Sequence, residues 1–187
     1  MRITGIVAPA PIVTVAEVKA WTRIDCADDD ALVSSLIVAA TQWLDAPSGW
    51  IGRALGVQTL EMTFGAECWR RGYLPLWYPP IRSVVGVHYR DADGIEQDLV
   101  DASWRLSGEA VVPEVGVSWP DVECRPDAAR VVYQAGYDIV PEPIRLAIMM
   151  LVAQWYANRE PVNIGNITST LPFAVEALVQ PFRILRV

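Results

Sequence analysis

Between residues 140 and 161 the chain reads VPEPIRLAIMMLVAQWYANREP, and its apolar positions fall at helical spacing. Ile144, Ala147, Ile148, Leu151, Val152 and Trp155 recur on one face. Leu146, Met149, Met150 and Ala153 make most of the remaining circumference apolar, so this helix is predicted to be buried on several sides. Pro141 and Pro143 suit a helix start, and Asn158-Arg159-Glu160 followed by Pro161 suit its end. The segment is too short, and too close to Arg145, to cross a bilayer, which takes about 20 apolar residues. It therefore packs against protein. Ile144, Ile148, Leu151, Trp155 and Tyr156 are the candidate positions for core or subunit packing.

Upstream, residues 1–13 are apolar and punctuated by proline, which predicts an extended arm. Thr14 and Glu17 have the spacing of a capping box and open a short helix to about Thr22. Asp28, Asp29 and Asp30 begin a second helix, where negative charge suits the macrodipole. Leu32, Leu36, Ala39, Ala40 and Trp43 make its expected inner face, widened by Val33, Ile37 and Leu44, and Pro47-Ser48-Gly49 ends it. The period then changes to alternation. Residues 58–64 set Leu60, Met62 and Phe64 against Thr59, Glu61 and Thr63, the pattern of a half-buried strand.

A Trp/Tyr/Pro-rich link over 69–80 precedes a strand at 83–90, with Val85, Val87 and Tyr89 opposite His88. Asp91-Ala92-Asp93-Gly94 reads as a turn with 95–100 returning as the hairpin partner. Weaker strands are expected at 104–106, 110–112 and 129–134. Residues 162–170 are polar and read as a loop, and 173–179 as a short last helix. The order is helices, strands, helices: an arm and helical pair over 1–56, a β-rich insertion over 57–138, and a core helix, loop and tail over 139–187. The fold class is α+β.

Composition sharpens this. The hydrophobic fraction is 52% with eight tryptophans, which suggests apolar surface beyond what one core holds and hence association, with a well-filled core as the alternative. Net charge is −7, and Lys19 is the only lysine. With no Lys/Arg cluster, phosphate-backbone gripping is not expected. Residues 141–187 are slightly basic, with four basic and three acidic groups, on an acidic body. Cys26, Cys68 and Cys124 are far apart, odd in number and without CxxC spacing, so free thiols are expected. No secretory, transit or lipidation pattern is read, which leads to the expectation of a chain made and kept in the cytoplasm.

The search for chemistry ends without an active site. His88 is the only histidine, so it would have to serve any histidine relay, and a histidine-based metal cluster is excluded. Three successive aspartates on a helix do not face one point. Asp91-x-Asp93-Gly94 lacks the ligand ladder of a calcium loop, and Gly49-Trp50-Ile51-Gly52 lacks the Lys-Ser/Thr of a phosphate loop. No cofactor and no metal are expected.

The tail after Gln180, QPFRILRV, alternates apolar and basic residues and is suited to adding as a strand to a partner; a frayed terminus is the alternative. Arg145 and Arg159, near opposite ends of the main helix, have two open readings: acids of a neighbouring subunit or acids of the same chain. The 162–170 loop likewise faces either a neighbour or solvent.

Taken in order, TVAEVKAWTRID…DDALVSSLIVAATQWL, GRALGVQTLEMTF, LPLWYPPIRSVVGVHYRDADG, SWP at 118–120, RVVYQAGY, VPEPIRLAIMMLVAQWYANRE and LPFAVEALVQPFR resemble the head–tail connector (adaptor) proteins of long-tailed bacteriophages and of phage-derived gene transfer agents. The resemblance runs from about residue 13 to 183 and is carried by the order of the segments rather than by any one motif. It implies a small helical bundle with an elaborated β-rich insertion, and a ring of typically twelve copies beneath the portal. Such a ring extends the DNA channel and docks head-completion, stopper or tail proteins. It implies portal docking by Phe182, Arg183, Ile184, Leu185 and Arg186. DNA would pass without sequence-specific binding, no membrane would be involved, and the chain would sit in the neck of a virion or phage-like particle. The rival readings are a stopper or tail-completion protein of the same neck, a plain oligomeric binding module, and a small enzyme using carboxylates.

Overall fold

Alternating strands need two faces of different character, and β2 (Gln58–Phe64) and β8 (Ala129–Ala135) show how this chain supplies them. The computed structural model describes residues 2–158 and 173–184 of the 187. The antiparallel register sets Leu60 against Tyr133, Met62 against Val131 and Phe64 against Ala129, and all six are buried. Glu61, Thr63, Arg130 and Gln134 take the opposite, half-buried face. Such cross-strand apolar pairs are the unit of sheet stability. The Tyr133 hydroxyl donates to the Trp77 carbonyl at 2.7 Å, which satisfies the polar tip of an otherwise buried ring.

Around this pair, β1 (Arg2–Val7), β4 (Ile81–Arg90) and β5 (Glu96–Asp98) complete a five-stranded antiparallel sheet in the order β1-β2-β8-β4-β5. A helical turn, α3 (Ala66–Arg70), follows β2. β3 (Leu74–Pro75), β6 (Trp104–Ser107) and β7 (Ala110–Pro113) form a second, three-stranded sheet in the order β3-β7-β6. The Asp91–Gly94 turn closes the β4–β5 hairpin: one Asp91 carboxylate oxygen accepts the backbone N–H groups of Asp93 and Ile95, and Gly94 takes φ +78°.

Two expectations for this region are corrected. Residues 2–7 do not travel with the helices as an arm; they pair with β2 as a sheet edge, Ile3 opposite Met62. Val85 does not share the buried face of Val87. The β4–β8 register shifts between Val84 and Gly86, and the extra residue turns Val85 out to 60% exposure.

Residues 1–8 and 57–136 thus form one unit, and residues 9–56 and 137–187 a second, helical one. The helical unit contains α1 (Val15–Thr22), α2 (Asp30–Leu44), α4 (Glu142–Ala157) and α5 (Phe173–Val179). The capping box forms as expected: the Thr14 hydroxyl accepts the Glu17 N–H, and the Glu17 carboxylate accepts the Thr14 N–H at 2.7 Å. Ile144, Ala147, Ile148, Leu151 and Val152 are buried in a shared core with Val18, Val33, Ile37 and Leu44. Only Glu142 and Ala157 are exposed along α4.

Of the expected inner face of α2, Ala40 and the widening residues Val33, Ile37 and Leu44 are buried, Leu36 and Trp43 pack half-buried against the core, and Leu32 and Ala39 face out. The helix is apolar nearly all round, so periodicity alone does not say which edge of the stripe stays bare. The tryptophan surplus is mostly absorbed internally. Trp69 stacks on Tyr89 and against Trp119, Trp43 meets Trp155 edge-on, and of the eight only Trp21 is exposed.

Candidate docking surface

α2 ends at Leu44, and the chain then turns back on itself through residues 45–56. Asp45 organises the turn. Its buried carboxylate accepts the N–H groups of Ala46 at 2.9 Å and Leu55 at 2.7 Å, so a charge that would be costly alone is spent on two backbone donors. Ala46 N–H bonds the Arg53 carbonyl, and Trp50 N–H bonds that of Trp43. Gly49 lies so close to the helix end that a Cβ there would sit 2.1 Å from the Asp45 carbonyl oxygen. Gly52 adopts φ +72°. The Gly-Trp-Ile-Gly stretch, unfit for phosphate, is the bend that presents Trp50 and Arg53.

The C-terminal segment runs along this loop. After α5 a 3₁₀ turn spans Gln180–Phe182, and Phe182 packs against the helical core. Arg53 Nε donates to the Phe182 carbonyl at 2.6 Å, and Ile184 N–H donates to the Ile51 carbonyl at 2.9 Å. The Arg183 guanidinium lies 3.9 Å from the centre of the Trp50 ring. Of the five residues assigned by resemblance to portal docking, Phe182, Arg183 and Ile184 are therefore engaged by their own chain. Leu185 and Arg186 lie outside the described residues, as do Arg159 and the 162–170 loop.

The candidate packing residues divide. Ile144, Ile148 and Leu151 are buried within the helical core, whereas Trp155 and Tyr156 are half-buried at its margin. The Tyr156 hydroxyl donates to the Asp29 carboxylate. Arg145 is settled within the chain: it bonds the Ile12 carbonyl at 2.6 Å and pairs with Glu17 and Glu142. The Thr14 backbone and hydroxyl bonds, with Arg145 adding to them, hold the Glu17 carboxyl below its ordinary value. Lys19 pairs with Asp30 at 2.6 Å, which raises the ammonium's pKa. The outward face of α2 offers Ala31, Leu32, Ser35, Val38, Ala39 and Gln42, and no charged residue occurs from Ala31 to Leu44.

The β unit presents the opposite character. An open cavity of about 430 Å³ lies over its sheet, lined by Arg2, Glu61, His88, Arg90, Glu96 and Arg130 among others. Several of its charged groups pair with one another or with a neighbour: Arg130 with Glu61 and Glu96, Arg90 with Glu96, and His88 with Asp98. Among the described residues no group of three His, Cys, Asp or Glu side chains is arranged to hold a metal ion. The three cysteines are free. No described helix is long and apolar enough to cross a membrane.

The loop contacts of Trp50, Arg53 and Asp45 escaped sequence reasoning. Their signal, two glycines three apart just after a helix stop, was legible as a bend but not as a seat for residues more than 120 positions away.

Against known proteins, the family model described as head completion protein matches residues 11–185. Among solved structures, a chain of the virion of a native gene transfer agent particle is similar over 100% of this chain and 97% of its own, with a TM-score of 0.76 and 25% identity. A chain in the neck of an empty gene transfer agent particle, computed with C6 symmetry, has the same coverage, a TM-score of 0.74 and 26% identity. A chain in the neck of a native particle, computed with C12 symmetry, shares the fold at a TM-score of 0.69 and 22% identity. No curated protein matches the sequence.

Proposed function

The chain belongs to the head completion protein family, and from that premise we propose that it is a structural, non-enzymatic ring subunit in the neck of a virion or gene transfer agent particle. Its place is that of the adaptor, seated on the portal and extending the DNA channel toward stopper or tail proteins. The observation that carries the reading is the whole-chain structural similarity to a gene transfer agent virion chain at a TM-score of 0.76. In this reading the helical unit is the small bundle that builds the ring, and the β unit is its elaboration. Twelve copies form the ring, a number compatible with the six-fold symmetry of one similar neck.

Two physical features support it. The uncharged outer face of α2 suits contact with a second copy. That contact is heterologous, because a face meeting itself closes a dimer rather than a ring. The net charge of −7 suits a conduit that DNA traverses without being held. Docking on the portal falls to the chain beyond Ile184, since Phe182 and Ile184 are occupied within the subunit.

Electron microscopy of intact particles carrying a tagged copy tests the assignment. Density for this chain is expected as a ring directly below the portal. A position one level lower would make it a stopper, and a position outside the neck would end the proposal.

A further inference from the structure

We infer that copies of this chain lock together through a knob and a socket: Ile139, flanked by Asp138 and Glu142 on one copy, seats in the cavity walled by Trp119 and rimmed by Arg70 and Arg71 on the next. The inference rests on the reading of the chain as a ring subunit. It deepens that reading by naming two patches that meet.

The socket lies wholly in the β unit. Arg70 and Arg71 are the only adjacent pair of basic residues in the sequence. The end of α3 places them at the rim of a cavity of about 320 Å³. Gly72, at φ +62°, turns the chain there, and a Cβ on it would stand 3.0 Å from Pro113 Cγ, so this turn lies close against the end of β7. Trp119 and Pro120, on the opposite wall, belong to no helix or strand, yet they are pinned. Trp119 packs on Trp69 with ring centres 4.6 Å apart and donates to the Ser103 carbonyl at 3.1 Å, and Trp69 donates to the Pro120 carbonyl at 2.8 Å. Both arginines are exposed, and among the described residues neither is held in an ion pair, even with Asp121 of the same lining. Arg90 and Arg130, over the sheet, already have acids at hand; Arg70 and Arg71 are left for an incoming carboxylate.

The knob lies wholly in the helical unit. Ile139 is 85% exposed, the most exposed large apolar side chain among the described residues. Its neighbours are fixed: the Tyr137 N–H donates to the Leu55 carbonyl at 3.1 Å, and Val140 is buried in the helical core. Asp138 and Glu142 are exposed on either side of it, Glu142 meeting Arg145 at 3.4 Å. A phosphate backbone would satisfy the two arginines and leave the Trp/Pro wall without a partner, whereas an apolar side chain between carboxylates matches both. Tryptophan and arginine are the residues that most often anchor interfaces. Both patches are held in place before contact, which lowers the entropy lost on docking. Because knob and socket are different patches, the contact passes from copy to copy rather than closing a dimer.

The test expresses full-chain variants during particle production and reads incorporation by immunoblot of purified particles, with each variant's thermal transition measured in solution. Arg70→Glu combined with Arg71→Glu sets like charges against the knob and is expected to lower incorporation about tenfold or more, with the transition retained. Ile139→Lys, on the opposite patch, is expected to do the same. Adding Asp138→Arg and Glu142→Arg to the socket variant reverses the charges on both sides and is expected to restore incorporation to within about threefold of the parent.

Loss at both patches with rescue by the reversal supports the contact. A folded socket or knob variant that incorporates like the parent overturns it, and if one variant fails to fold the other decides. Loss without rescue also overturns it, by assigning the socket to an acidic segment of a different protein. In each of these outcomes a ring of the parent chain below the portal leaves the ring reading standing; a parent chain outside the neck ends both.

Discussion

The two units of this chain solve the same problem, shielding apolar surface, with polar ties of different emphasis. In the β unit, acids and bases are tied to one another: Arg130 to Glu61 and Glu96 and Arg90 to Glu96 on the open sheet face, and Arg125 to Asp127 and Glu123 in the segment before β8. The helical unit has ion pairs too, Lys19 with Asp30 and Arg145 with Glu17 and Glu142, but adds side-chain ties to backbone across long separations: Asp45 to two N–H groups, Arg145 to the Ile12 carbonyl, Arg53 to the Phe182 carbonyl. Charge on the sheet is thus cancelled in place. Charge in the helical unit fastens chain segments together, and α2 shows solvent a face with no charge. The difference teaches where association belongs: a self-paired charged face offers a neighbour little, whereas an uncharged helix face loses little water when covered.

Core truncations should produce the largest effects and treat the units alike. Phe64→Ala in the sheet should cost about 3–5 kcal/mol and Ile148→Ala in α4 about 2–5 kcal/mol, measured by urea denaturation. Trp155→Ala should cost less than Ile148→Ala, because the indole is half-exposed beside Trp43. A larger loss at Trp155 would return it to the core that sequence reading expected.

The backbone-directed ties come next. Arg145→Ala takes the guanidinium from the Ile12 carbonyl and from Glu17, which keeps its Thr14 bonds, and should destabilise by about 1–3 kcal/mol. It should also flatten the acid response. Glu17 is held below its ordinary 4.5 in the folded chain, by Thr14 first and Arg145 after. Its contribution is therefore complete above 4.5 and is lost as pH falls through the lower folded value. Asp127, lowered from 3.8 by Arg125, has the same sign in the β unit. Denaturation midpoints followed from neutral pH downward should fall less steeply in Arg145→Ala than in the parent; an unchanged slope would detach Arg145 from Glu17.

Surface changes should have the smallest effect on stability and separate the units by function. Arg130→Ala, 40% exposed at its side chain, should cost about 1 kcal/mol or less and leave ring formation intact. Val38→Asp on the α2 face should change stability by only about 0.5 kcal/mol yet block incorporation into particles, scored by immunoblot of purified particles. Normal incorporation would move the subunit contact off α2.

Sequence reading reached most elements and their type, though β1 was read as an arm and α3 and β3 were not foreseen. The capping box at Thr14, the strands at β2 and β8, the buried stripe of α4 and the Asp-Gly turn were all legible, because each is set by neighbours within a few residues. It missed what depends on partners far along the chain. The outward position of Leu32 and Ala39 was invisible because α2 is apolar nearly all round, the outward turn of Val85 needed the β4 bulge, and the pairing of β1 with β2 spans more than 50 residues. The choice between inter- and intrachain partners for Arg145 was open until Glu17 and Ile12 were brought beside it.

By itself, the sequence determined the type of the longer helices and strands, the acidic balance, and the family to which their order belongs. Local periodicity and turn chemistry act over a few residues and survive without a third dimension. Tertiary structure alone decided which apolar face of α2 stays bare, and that Trp50 and Arg53 seat a tail about 130 residues away. Those outcomes depend on long-range closure, where the winning arrangement is the one that buries the most apolar surface while leaving every backbone donor a partner.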